Sequence, residues 1–107
     1  MFGSSHAVPA TEAIALVNEG ARLVDVREPS EFSSGHAAGA VSMPLGQLER
    51  QLSVLTSAGA VLVICASGVR SRTATRQLRA GGVSATNVKG GLRGWQAAGG
   101  PVSRGSR

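Results

Sequence analysis

Val61 to Arg72 reads VLVICASGVRSR, and the fold turns on this stretch. With Ala60 in front, it opens as five apolar residues without a break, Ala60 to Ile64. A run so rich in Val and Ile predicts a strand buried on both faces, as in a parallel sheet. It ends on Cys65, the single cysteine of the chain. Ala66, Ser67, Gly68 and Val69 lead to Arg70, and Ser71 opens a stretch of helical spacing in which serine is expected as the N-cap. A buried strand thus delivers a thiol into a short loop of small residues that feeds a helix N-terminus. Open α/β sheets place their ligands at that edge, beyond the carboxyl ends of the strands.

The chemistry follows from the place. A thiol is a weak nucleophile until it ionises, and a free cysteine ionises above neutral pH. A helix N-terminus offers unpaired N–H groups and the positive end of the macrodipole. Arg70 and Arg72 add fixed positive charge within the first turn. All of these favour thiolate over thiol. Gly68 lets the loop curl so that successive N–H groups point inward as an anion-binding nest, completed by Ala66, Ser67, Val69, Arg70 and Ser71. A lone cysteine at a strand end is more often an inert core residue. The glycine, the arginine and the helix start point the other way here.

At 107 residues the chain fits one domain, long enough for a five-strand sheet with helices on both sides. No apolar run approaches the length of a membrane span, and MFGSSHAVPA lacks a charged region followed by an apolar one. One cysteine forms no internal disulfide, so a reducing, cytoplasmic setting is expected. Residues 1–60 hold all six acids and only Arg22, Arg27 and Arg50, whereas residues 61–107 hold eight basic residues and no acid. Such one-sided charge can mark a nucleic-acid surface. With Phe2, Phe32 and Trp95 as the only aromatics there is no stacking platform, so the charge reads as a field favouring a small anionic substrate.

In chain order, residues 1–7 read as a flexible N-terminus. Pro9 to Glu12 starts a helix that Gly20 stops, and Ala21 to Val26 is a short strand. Pro29 to Phe32 begins a brief helix ending at Gly35-His36, and Ala40 to Met43 is a third strand halted by Pro44. Leu45, Leu48, Leu52 and Leu55 recur as an amphipathic helix stripe. Beyond the loop, Ala74 and Leu78 face inward on a helix stopped by Gly81-Gly82, while Arg72, Arg76 and Arg79 line its outer face as a solvated stripe. Ser84 to Val88 is the last strand expected, Leu92 to Ala97 a terminal helical turn anchored by Trp95, and Gly99 to Arg107 a flexible tail. Alternating strands and helices argue for an α/β domain with a mostly parallel sheet.

Three separated segments, LVDVREPSEF with SGHAAGAVSMP, then VICASGVRSRTA, then NVKGGLRGW, resemble in order and spacing a single-domain rhodanese over roughly Val8 to Pro101. The resemblance implies a three-layer domain over 8–101, a tail from 102, no cofactor, and sulfur transfer through a persulfide on Cys65. Residues Ala66 to Arg70 would form the loop whose N–H groups hold its outer sulfur. Asp25 and Arg27 fall on the family's Asp-x-Arg segment and are expected to form a buried, charge-paired brace. His36 falls on its Gly-His pair and is expected to brace a turn. Several thiosulfate-using members carry a basic residue after the cysteine where this chain has Ala66, so the donor is thiosulfate or a persulfide. With no second thiol, the sulfur must leave to an external acceptor: cyanide, a small thiol or a partner protein.

No Cys/His cluster has metal-ligand spacing. Two other classes compete. A cysteine phosphatase or arsenate reductase also closes a Cys loop on an Arg, but only four residues separate Cys65 from Arg70, and Ile64 precedes the cysteine where such phosphatases carry a His. A sulfur-carrying or docking module would keep the fold without turnover.

Overall fold

The computed structural model describes residues 6–106. Its centre is β5, Ala60–Ile64, in which Val61 to Ile64 are each at most 2% exposed. Burial on both faces follows from the neighbours. β2 (Arg22–Asp25) pairs in parallel on one side, with Asp25 opposite Ile64, and β6 (Ser84–Val88) on the other, with Val63 opposite Asn87. β1 (Ala7–Val8) and β4 (Val41–Ser42) extend the sheet to the order β1-β6-β5-β2-β4, parallel throughout. Among the described residues this is the five-strand parallel sheet the alternation of elements implied.

Side-chain alternation divides the core into two layers. Val24, Val61, Val63 and Cys65 pack with Leu48, Leu55, Ala74 and Leu78, from the segments after β4 and β5. Leu23, Leu62 and Ile64 face the other way, onto Ala13, Phe32, Val88 and Trp95. The first layer is closed by α3 (Leu52–Thr56) and α4 (Val69–Ala80), the second by α1 (Ala10–Asn18), α2 (Pro29–Ser34) and α5 (Gly91–Ala97). β2 leads out to β4 on one side of the sheet, and β5 leads through α4 to β6 on the other. Their carboxyl ends diverge at a switch point, where a crevice forms.

Four expectations change. The helix after Cys65 starts at Val69, not Ser71. Gly68 takes the left-handed conformation (φ +103°) as its N-cap, so Ser71 lies inside the first turn and does not cap. The leucine stripe splits into a 3-10 helix, Leu45–Gln51, and α3. The spacing of three from Leu45 to Leu48 fits the tighter 3-10 turn.

The tail from 102 is not a loose end throughout. β7 (Val102–Ser103) pairs antiparallel with β3 (His36–Ala37), Trp95 Nε1 donates to Pro101 O at 2.8 Å, and Gly105 N donates to Ser33 O at 2.9 Å. At the other end Ala7 belongs to β1, while residues 1–5 of the expected N-terminal arm lie outside the described residues.

Candidate functional site

The loop is held open by its neighbours. Asn87 lies on β6 opposite Val63, so its side chain shares the face of the sheet that carries Val63 and Cys65. α5 begins directly against the loop backbone: Leu92 N donates to Cys65 O at 2.7 Å and Arg93 N to Ala66 O at 3.3 Å. That approach requires glycine at 91, where φ is +56° and a Cβ would stand 2.5 Å from Cys65 O and from the Ala66 carbonyl carbon. The GGLRG segment is thus a backbone brace for the loop.

Donors converge on the sulfur. Gly68 N donates to Cys65 Sγ at 3.1 Å and Ser71 N at 3.3 Å, and Ser71 Oγ lies 3.3 Å away. Cys65 itself is 1% exposed. Burial pushes its thiol up, but the Ser71 hydroxyl and the N–H groups of Ser71, Gly68 and Ser67 outweigh burial, and the thiol lies below its ordinary value. The groups nearest the sulfur, rather than the arginines, are the leading causes.

The other residues singled out in the sequence fall around this centre. Ala66 is half-buried, Ser67 exposed, and Val69 64% exposed at the outer wall of the loop. Arg70 reaches away from the loop to Glu31 on α2, with Nη1 to Oε1 at 2.7 Å and Nη2 to Oε2 at 2.9 Å. The Arg70 guanidinium holds the Glu31 carboxyl down at about 2, and Glu31 in turn raises Arg70. Arg72 is exposed on α4.

Asp25 and Arg27 pair one strand away. Arg27 gives its backbone N–H, Nε and Nη2 to the Asp25 carboxylate and Nη2 also to Gly35 O, all within 2.7–3.1 Å. His36 is buried, stacked on Phe32 with ring centroids 3.7 Å apart, and its Nδ1–H donates to Phe32 O at 2.8 Å. Among the described residues no cluster of His, Cys, Asp and Glu could hold a metal ion, and no helix is long and apolar enough to cross a membrane.

Three contributors escaped sequence reasoning: Glu31, Asn87 and Gly91. Asn87 had one signal, a polar residue two positions after Ala85, and so on the same inward face of the strand SATNV.

The model of the rhodanese-like domain matches residues 9–98. The chain belongs to the rhodanese-like family. It is 36% identical over 101 residues to thiosulfate sulfurtransferase 16 of Arabidopsis thaliana, covering 82% of this chain and 84% of that protein. It is 35% identical over 79 residues to YrkF of Bacillus subtilis, a putative sulfur carrier, covering 73% of this chain. The chain spans only 43–60% of the length of YrkF and two further bacterial relatives. The solution structure of a rhodanese-like domain from Anabaena superposes with a TM-score of 0.83 at 30% identity, covering 94% of this chain and 80% of that one.

Proposed function

We propose that this rhodanese-like chain is a sulfurtransferase that carries sulfane sulfur on Cys65. The observation that carries the reading is the convergence of two backbone N–H groups and one hydroxyl on Sγ. A core cysteine kept for its volume needs no such donors; a thiolate does. In the first half-reaction the Cys65 thiolate attacks the outer sulfur of the donor. A new S–S bond forms, the donor's own bond breaks, and the leaving group departs with the electron pair: sulfite from thiosulfate, a thiolate from a persulfide. In the second, a thiophilic acceptor attacks the outer sulfur and the Cys65 thiolate returns. No electron leaves or enters the cycle, and no second thiol of the chain resolves the intermediate.

Donor choice is argued from charge. Arg70 is engaged by Glu31 with both ends of its fork, and Ala66 brings no cation. Attraction for an anionic donor then rests on the N–H nest and the basic second half of the chain. We favour a persulfide over dianionic thiosulfate as the better donor. The acceptor is a thiol, cyanide or a thiolate of a partner protein, not nucleic acid.

A phosphatase reading fits less well. The donors meet at Sγ itself, and the loop is short for cradling a tetrahedral oxyanion beyond it. Steady-state turnover with donor and cyanide or a small thiol tests the proposal. Many sulfur equivalents per protein are expected, and no hydrolysis of an aryl phosphate. A halt after one equivalent would instead make the chain a carrier, and aryl phosphate hydrolysis lost in Cys65→Ser would replace the reading.

A further inference from the structure

The Ser71 hydroxyl has one proton and two claimants. Its Oγ lies 3.3 Å from Cys65 Sγ and 2.5 Å from Asn87 Oδ1. The amide orientation of Asn87 is fixed by its other side, where Nδ2 faces Gly68 O at 3.4 Å; a carbonyl oxygen only accepts, so the amide nitrogen must stand there and the oxygen must face Ser71. Asn87 is 5% exposed, so water does not readily replace a partner that it loses.

We infer that Asn87 is a positioning residue: its Oδ1 competes with the Cys65 sulfur for the Ser71 proton, and so sets how readily Cys65 ionises. While Cys65 is a thiol, its S–H donates to Ser71 Oγ and the hydroxyl donates on to Asn87 Oδ1, so every hydrogen in the chain has an acceptor. When the thiol proton leaves to solvent, the hydroxyl turns to the sulfur and Asn87 Oδ1 loses its donor. A buried acceptor without a donor is costly. Asn87 therefore stabilises the thiol relative to the thiolate, against the N–H groups of Gly68 and Ser71, which do the opposite.

The balance matters for a sulfur carrier. Once an outer sulfur is bound, the negative charge moves off Sγ and the hydroxyl can return to Asn87, so the Ser71 proton faces Sγ only while Sγ is charged. This deepens the reading of Cys65 as the sulfur-bearing residue, but it requires only that the thiol ionises.

The charged groups on the elements that meet the loop are the Arg70–Glu31 pair from α4 and α2, the Asp25–Arg27 pair after β2, Arg72 on α4, Lys89 just before α5 and Arg93 within it. None of them is altered by substitution at 71 or 87, which leaves two routes from Asn87 to the sulfur: Oδ1 through the Ser71 hydroxyl, and Nδ2 through Gly68, whose N–H also meets Sγ.

The test is the pH profile of Cys65 alkylation by iodoacetamide, without any sulfur donor. Asn87→Leu removes the competing acceptor, and the midpoint should fall by roughly half to one pH unit, the size of one hydrogen bond. Ser71→Ala should raise it. The double variant should match Ser71→Ala alone, because the competition runs through the hydroxyl and not through Nδ2 on Gly68 O. Asn87→Ala carries the same expectation if leucine is not accommodated. An unmoved midpoint in these variants, or a fall that persists without the Ser71 hydroxyl, would overturn the inference. Such a failure would leave persulfide formation on Cys65 untouched, whereas absence of persulfide in the unmodified protein would leave the alkylation midpoints standing.

Discussion

Two polar clusters sit side by side at the carboxyl ends of adjacent parallel strands. After β2, Asp25 and Arg27 face each other as a pair: three Arg27 donors, N, Nε and Nη2, meet one carboxylate, and Nη2 also meets Gly35 O. After β5, donors also converge, but on a sulfur that carries charge only when ionised. The first cluster is closed and neutral in itself. On the proposed function, the second is built around a charge that comes and goes. Both are buried and polar, so burial alone does not tell them apart; what differs is that in the first the donors meet a carboxylate and in the second a sulfur.

The sharpest way to break this comparison is to exchange the roles. Cys65→Ser should abolish sulfur uptake and transfer while unfolding near the unmodified protein in urea, since the change is small. Residual turnover would show that another group carries the sulfur. Asp25→Asn should do the reverse. It leaves Arg27 buried against a neutral amide, which costs about 3–5 kcal/mol, read as a lower urea midpoint. A stable variant that had lost activity would move Asp25 from the brace to the chemistry.

The Arg70–Glu31 pair lies between these extremes, its side chains 39% and 35% exposed. Arg70→Lys keeps charge but loses the fork, and should slow persulfide formation roughly three- to tenfold with anionic and neutral donors alike, as expected for losing part of a bidentate charge-assisted bond. A silent lysine variant, with Arg70→Ala harming anionic donors only, would make Arg70 a substrate group rather than a clamp.

The smallest effect is on stability in acid. The folded-state pKa of Glu31 is depressed from 4.5 to about 2, so its contribution is present above pH 4.5 and is lost as pH falls toward 2. At this exposure it amounts to about 1 kcal/mol or less. Glu31→Gln should flatten that part of the stability profile, and an unchanged acid slope would mean the pair holds geometry without contributing stability.

Legibility in the sequence follows the same division. β5 was readable because burial on both faces is written in its local composition. The Asp25–Arg27 pair lies two residues apart, within reach of a local motif. By contrast, Arg70 meets Glu31 across 39 residues, and Ser71 meets Asn87 across 16. Their partners depend on the order of strands, which no local pattern states. Ser71 reads as a cap because serine commonly caps, but Gly68 already takes the left-handed turn and starts the helix earlier. β7 was hidden behind Gly99-Gly100-Pro101, a breaker sequence that reads as a tail. The order in it comes from Trp95 Nε1 on Pro101 O and from pairing with β3.

On the proposed function, the second cluster exists to hold a sulfur anion on Cys65. Intact-mass spectrometry of the unmodified protein after exposure to a low-molecular-weight persulfide, and in parallel to thiosulfate, tests it most directly. We expect one added sulfur per chain, lost again on incubation with cyanide and located on the peptide that contains Cys65. No gain in mass with either donor, or a gain located elsewhere, would contradict the account.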